Sequence, residues 1–88
     1  MKTFEFRGMI IPERMMIPLQ EYTENHQPVG GFLEAVISNN LFAACTKADE
    51  SNLHLLPAYI AYLYNYAPSG CWGSPEKYQA WIKGENNE

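Results

Sequence analysis

The strongest pattern in the sequence is a long apolar stretch between Asp49 and Tyr66. Asp49 is suited to cap a helix, and apolar residues then recur at helical spacing along two stripes. The first stripe comprises Leu53, Leu56, Ile60, Leu63, Tyr64 and Ala67, and the second comprises Leu55, Tyr59, Tyr62 and Tyr66. A helix with two apolar faces is typical of a central helix, so we expect neighbours to pack on both sides of it. Pro57 lacks a backbone N–H and is expected to kink or split this helix.

Capping residues predict shorter helices on both sides of this stretch. Ser74-Pro75-Glu76 is typical of a helix start, and Gly84 is placed to end that helix. Gly30-Gly31 precedes a helix that Asn39-Asn40 closes, because Asn tolerates a left-handed backbone. Asn40 is also suited to cap a further short helix over residues 41–48.

The N-terminal quarter is expected to be less regular. Polar and apolar residues alternate over residues 2–10, which favours a strand. A single strand is unstable alone, so it is expected to pair with a second copy or to lie as an arm on the helices. Pro12-Glu13 indicates a first helical turn. Pro18 then predicts an interruption, with a short turn over 12–16 and a helix from about 18 to 25.

These segments together predict a mainly α fold, an irregular bundle of four to five short helices with an N-terminal β-strand or extended arm. A length of 88 residues suits one domain, and an apolar share of 47% supplies one core. We expect a single globular domain over residues 1–84 and a disordered acidic tail over 85–88. A homodimer or higher oligomer is as compatible with the aromatic content as a monomer.

Charge and hydropathy exclude several classes of partner. The six Lys and Arg residues are scattered, so the chain lacks the basic face that long nucleic acid requires. The sequence has no signal peptide and no apolar run long enough to span a bilayer. We therefore expect a cytoplasmic protein with free thiols.

The residues that could support catalysis are isolated in sequence. His26 and His54 lack a second ligand at helical spacing, so no metal site is predicted. Cys45 is expected to be a small buried residue, and Cys71 to be a packing residue in a loop. We predict no catalytic residue and no cofactor, and expect the chain to act by binding rather than as an enzyme.

The candidate binding residues are polar, basic and aromatic groups near helix ends and loops. An aromatic ring, a basic side chain and a helix N-terminus together favour a small nucleotide. The same side chains equally serve as caps that stabilise short helices. The set comprises Arg7, Arg14, Asn39, Asn40, Lys47, Asp49, Asn52, Trp72, Ser74 and Lys77.

Several motifs resemble a family of small bacteriophage and prophage proteins. They include Ile11-Pro12-Glu13-Arg14, Ser38-Asn39-Asn40-Leu41 and Cys71-Trp72-Gly73-Ser74-Pro75-Glu76-Lys77, and the resemblance covers roughly residues 10–83. The resemblance implies an accessory protein that antagonises host defence by stoichiometric binding in the bacterial cytoplasm. It could sequester a signalling nucleotide at a subunit interface. Alternatively, it could inhibit a host defence protein in the manner of an anti-CRISPR, or assist virion assembly.

Overall fold

The computed structural model describes residues 3–84, and over this range the fold is mainly α, as predicted. The expected tail at 85–88 lies outside the described residues, as do Met1 and Lys2. The number of α-helices within 3–84 is six, because the apolar stretch forms two. The elements are β1 (Phe4–Phe6), β2 (Met9–Ile11), α1 (Glu13–Asn25), α2 (Gly31–Ile37), α3 (Leu41–Lys47), α4 (Glu50–His54), α5 (Leu56–Tyr66) and α6 (Pro75–Ile82).

The N-terminal segment is a β-hairpin rather than a single strand or an arm. β1 pairs antiparallel with β2, and Phe6 lies opposite Met9 across a two-residue turn. Arg7 and Gly8 form that turn with positive φ angles of 52° and 83°. Two consecutive positive φ angles are typical of a type I′ turn, whose twist matches that of the strands. The predicted N-terminal β-structure is present, but the sequence pattern did not reveal the turn within it, because the residue before Gly8 is Arg rather than the usual Asn or Asp.

α1 is continuous through Pro18, so the predicted interruption was wrong. The helix begins after Pro12, whose carbonyl accepts hydrogen bonds from the N–H groups of Met15 and Met16 at 3.0 Å. Pro18 therefore lies in the helix interior, where the carbonyl of Arg14 loses its usual helical donor. Burial of Met16, Leu19 and other residues of one face stabilises the helix despite this loss.

The apolar stretch from Asp49 to Tyr66 divides at Leu55, as Pro57 predicted. The Asp49 carboxylate caps α4 by accepting a hydrogen bond from the Asn52 N–H at 2.7 Å. Pro57 lies in the first turn of α5, where its missing N–H removes no helical hydrogen bond.

Hydrogen bonds join the last turn of α1 to α6 and to the loop before it. We call these bonds the terminal clasp; they connect Tyr22 and His26 to Cys71 and Trp81. The Tyr22 hydroxyl donates to the Cys71 carbonyl at 2.5 Å, and Trp81 Nε1–H donates to the Tyr22 carbonyl at 2.7 Å. His26 Nδ1–H donates to the Trp81 carbonyl at 2.7 Å, with the two rings 4.4 Å apart. His26 adopts a left-handed backbone that ends α1. These bonds fix the loop before α6 as well as the helix.

α5 packs on one broad side only, which corrects the expectation that neighbours cover it on both. Its buried residues are Ala58, Tyr59, Ala61, Tyr62 and Leu63. They lie against the hairpin and α2, and Phe4 contacts the ring of Tyr62 edge-on at 5.4 Å. Ile60 and Tyr64, from the first predicted stripe, are exposed. This part of the stripe is apolar, but no element within residues 3–84 packs over Ile60 and Tyr64 completely.

Candidate functional site

A surface of exposed apolar side chains extends from the start of α3 along α5. We define the α3–α5 face as Leu41, Phe42, Leu56, Ile60 and Tyr64. Leu41 is 71% exposed, Phe42 80%, Ile60 47% and Tyr64 74%, whereas Leu56 is half-buried. Ile60 and Tyr64 are one helical turn apart, so their side chains are neighbours on α5. A contiguous group of large exposed apolar residues typically marks an interaction site.

A small cleft lies within this face, where the turn between α2 and α3 approaches α5. Its volume is about 70 Å³, and Ala35 and Ala44 contribute only small side chains to it. None of its lining residues is ionisable; they are Ala35, Val36, Asn39, Asn40, Leu41, Ala44, Leu56 and Ile60. Small-molecule pockets usually have about 300–1,000 Å³. The cleft therefore suits a single apolar side chain rather than a nucleotide.

The local sequence explains the shape of this cleft. Asn39 has a positive φ of 63°, which turns the chain sharply after α2. The Asn40 side chain then caps α3 by accepting a hydrogen bond from the Ala43 N–H at 3.0 Å. The two asparagines place the start of α3 beside α5, with their own polar groups at the rim of the cleft.

The far end of the face is closed by Trp72. Its ring contacts Tyr64 edge-on, with centroids 6.4 Å apart. The Gly73 N–H donates to the Ile37 carbonyl at 2.7 Å, which fixes this loop to the end of α2. Trp72 Nε1 is buried without a hydrogen-bond partner among the described residues. Trp72 thus serves as an apolar support for Tyr64.

Five of the predicted binding residues gather around the start of α6 and the α2–α3 turn. Asn39 and Asn40 line the apolar cleft, and Asn40 and Lys47 line a second, polar cleft of about 140 Å³. Pro75 also lines this polar cleft, next to Ser74, which caps α6 by accepting from the Lys77 N–H at 3.1 Å. This cleft is also smaller than a usual nucleotide pocket.

Arg14, Asp49 and Asn52 lie instead around the buried Tyr59 hydroxyl. This hydroxyl donates to Asn52 Oδ1 at 2.7 Å. Burial raises the pKa of Tyr59, while the nearby Arg14 charge lowers it and the Asp49 charge raises it further. Asn52 is itself buried, so this group stabilises the junction of α4 and α5.

Arg7 remains with the hairpin, where its guanidinium lies 5.0 Å from the centre of the Phe6 ring. The ten predicted binding residues therefore lie in several separate regions of one copy of the chain and do not line one common pocket there. A nucleotide pocket completed by a second copy stays a prediction.

The two cysteines differ from each other in environment. Cys45 is exposed on α3, so its predicted burial was wrong. Cys71 is fully buried, as its predicted packing role requires, and burial raises the pKa of its thiol to about 11. Over residues 3–84 there is no cluster of three or more His, Cys, Asp or Glu side chains suited to a metal ion.

The sequence interpretation missed the α3–α5 face. Ile60 and Tyr64 belonged to an apolar stripe that was expected to be covered by neighbours, and Leu41 and Phe42 were placed on a predicted short helix with no face assigned to them. One signal could have identified the face: residues 56–66 contain no charged side chain, although α5 is at the surface. An uncharged helix at the surface leaves one apolar face exposed to water, so a binding partner is expected to cover that face.

Comparison of the chain with protein-family models, with curated proteins and with solved structures finds no match. The resemblance to phage proteins therefore stays a prediction. Among the helices of residues 3–84, none combines the length and apolar character needed to cross a membrane.

Proposed function

We propose that this chain is a stoichiometric binding protein that attaches to another protein through the α3–α5 face. The observation that carries the proposal is an uncharged cleft lined by the exposed Leu41 and Ile60, next to which the exposed Phe42 and Tyr64 follow along the same two helices. The centres of protein interfaces are depleted in charged residues and enriched in aromatic ones. Leu41, Phe42, Ile60 and Tyr64 have this composition.

The arrangement suggests how such a partner would be held. One apolar side chain of the partner would enter the cleft between Leu41 and Ile60, and Tyr64 would pack beside it. Removal of this apolar surface from water would be the main driving force for association. Asn39 and Asn40 at the rim offer amide groups for hydrogen bonds.

The resemblance to phage proteins supports a setting for this activity. In that setting the chain acts in the cytoplasm of an infected bacterium, and its partner is a protein of host defence. Sequestration of a signalling nucleotide is the weaker alternative, because both clefts around Asn40 are smaller than nucleotide pockets. A virion assembly factor would use the same kind of surface, but it would be present in purified particles.

Native mass spectrometry of tagged protein recovered from infected cells tests this proposal. We expect the wild type to carry a host protein at a fixed ratio, and Ile60→Asp to lose it because a charge in the cleft opposes apolar contact. Ile17→Asp is the matched control, since Ile17 is 55% exposed but lies on α1. Circular dichroism would establish that both variants are folded.

Three outcomes would contradict the proposal. The first is retention of the host protein by Ile60→Asp to the same extent as by the wild type. The second is a small-molecule mass in place of a protein, which would favour the nucleotide alternative. The third is recovery of the chain in purified virions alone.

A further inference from the structure

We propose that the polar cleft between α2 and α3 binds a small α-amino acid in its zwitterionic form. Glycine, alanine and serine represent this class of ligand. The inference goes beyond the proposed function, because the site is not the α3–α5 face and its ligand is a small molecule rather than a protein.

Small residues create the polar cleft where α2 and α3 pack together. Ala35 on α2 and Ala43 on α3 both line it, and Pro75 lines it from the first turn of α6. The volume of the cleft is about 140 Å³, whereas a water molecule takes about 30 Å³ in the liquid. The polar cleft therefore has room for a few water molecules or for one of the smallest amino acids.

The observation that points to a ligand is the state of the Ser38 hydroxyl. Ser38 is 8% exposed and lines the polar cleft. Its backbone N–H donates to the Glu34 carbonyl at 2.9 Å, but its hydroxyl makes no hydrogen bond within residues 3–84. Leaving a buried hydroxyl without a partner is costly, so we expect it to bond to a molecule that enters the cleft. A hydroxyl both donates and accepts, so it can bind either end of a zwitterion.

Two charges of opposite sign line the same cleft. Glu34 lies one helical turn before Ser38 on α2, and Lys47 lies one turn after Ala43 on α3. Neither charged side chain forms an ion pair within residues 3–84. A ligand that carries both charges satisfies both groups, because its carboxylate accepts from the Lys47 ammonium and its own ammonium donates to the Glu34 carboxylate.

The donors for the ligand's carboxylate lie at the two ends of α3. Lys47 lies against the start of α2, since its Nζ would be 3.5 Å from a Cβ atom at Gly31. Asn40 Oδ1 accepts from the Ala43 N–H at 3.0 Å, which leaves the NH₂ group of Asn40 as a donor beside the cleft.

The mixed charge of the lining disfavours simpler ligands. An inorganic anion would be repelled by the Glu34 carboxylate, and a cation by the Lys47 ammonium, at the short range that a small cleft imposes. A neutral solute would leave both charges without a partner. A zwitterion is the class of small solute that matches both.

Titration of the isotope-labelled full chain with alanine, followed through the NMR signals of its backbone amides, tests the site. We expect saturable shifts at Ser38 and Lys47, with a Kd in the millimolar range because so small a ligand forms few contacts. Lys47→Met and Glu34→Gln each remove one charge and should weaken binding at least about tenfold. Lys83→Met is the matched control, since Lys83 ends α6 and does not line the polar cleft.

Two blocked forms of alanine distinguish a free amino acid from the end of a polypeptide. N-acetylalanine keeps only the carboxylate, like a C-terminus, and alaninamide keeps only the ammonium, like an N-terminus. We expect both to bind at least about tenfold more weakly than alanine. The inference is overturned if either binds as well as alanine, if alanine produces no saturable shifts, or if either charge variant keeps the wild-type affinity.

Ser38→Ala supplies a second measurement in the absence of ligand. Because the hydroxyl has no partner within residues 3–84, its removal should leave the Tm equal to that of the wild type or higher, while it weakens the binding of alanine. A clear fall in the Tm would mean that the hydroxyl is bonded within the fold, and it would overturn the inference.

Discussion

The indole N–H groups of Trp72 and Trp81 are both buried, but only that of Trp81 donates a hydrogen bond to a described residue. Trp81 Nε1–H donates to the Tyr22 carbonyl at 2.7 Å, whereas Trp72 Nε1 has no partner among the described residues. Trp81→Phe removes this hydrogen bond and some packing, while the Tyr22 carbonyl keeps the His26 backbone N–H as a donor at 3.1 Å, so we expect the hydrogen bond to account for a loss of about 0.5–1.5 kcal/mol in the free energy of unfolding. Trp72→Phe breaks no hydrogen bond and should cost clearly less. Urea denaturation of the two variants measures the difference, and equal losses would contradict this assignment.

The two thiols should differ in reactivity. Cys45 is exposed, while Cys71 is fully buried with a pKa raised to about 11, which keeps its thiol protonated at neutral pH. Since the thiolate is the reactive form, we expect one thiol per folded chain to react quickly with a disulfide reagent at pH 7. The second should react only on unfolding. Cys45→Ser is the control, and rapid modification of that variant would show that Cys71 is accessible.

Pro18 lies in the interior of α1 and is expected to destabilise it. Its ring removes one helical N–H and leaves the Arg14 carbonyl without its usual donor. Pro18→Ala restores that hydrogen bond, and we expect it to raise the free energy of unfolding by about 1–3 kcal/mol. Thermal denaturation would measure the change. If the variant were less stable than the wild type, packing of the proline ring would outweigh the missing bond.

The elements that sequence predicted well are those whose ends depend on local chemistry. Asn40, Asp49 and Ser74 cap their helices with their own side chains, and each cap was predicted because the bonded N–H is three residues away. Pro57 divided the apolar stretch for an equally local reason. The hairpin was missed because its turn carries Arg rather than Asn or Asp before Gly8, whereas the continuity of α1 through Pro18 depends on packing that local rules do not contain.

The α3–α5 face was missed for a different reason. Both stripes of residues 49–66 are apolar, and sequence spacing does not determine which of them the rest of the chain covers. The hairpin, α2 and other elements cover the side that contains Tyr59 and Tyr62. Ile60 and Tyr64 remain outside because the described chain has no further element to place over them. Among the predicted binding residues, Asn40, Asp49 and Ser74 cap helices, and Asn39 and Lys47 line clefts.

At the scale of the whole molecule, alkaline pH should unfold the protein. Burial raises the pKa of Cys71 from 9.0 to about 11, and it also raises the pKa of Tyr22, Tyr59 and Tyr62. These groups lose their protons more easily in the unfolded chain. Their contribution to stability is therefore complete below about pH 9 and decreases as the pH rises toward their folded-state pKa values.

We expect the Tm to be nearly constant between neutral pH and about pH 9, and then to fall through pH 11. For Cys71 alone the loss is about 2–3 kcal/mol. Cys71→Ser removes the group that titrates first, so its Tm should begin to fall at a higher pH, where tyrosines ionise. Calorimetry across this range measures both curves, and a wild-type Tm that does not change up to pH 11 would be inconsistent with buried, neutral groups.

The terminal clasp also has a consequence for folding kinetics. Its hydrogen bonds join Tyr22 to residues that are 49 and 59 positions away, so closing it requires the ordering of most of the chain. Loop closure of this length is entropically costly. We therefore expect the local helices to form first and these hydrogen bonds to form after the rate-limiting step. Trp81→Phe should then accelerate unfolding and leave the refolding rate nearly unchanged, as stopped-flow measurements would show. On this account the local helices form early, and the joining of the two ends determines how long the native state persists.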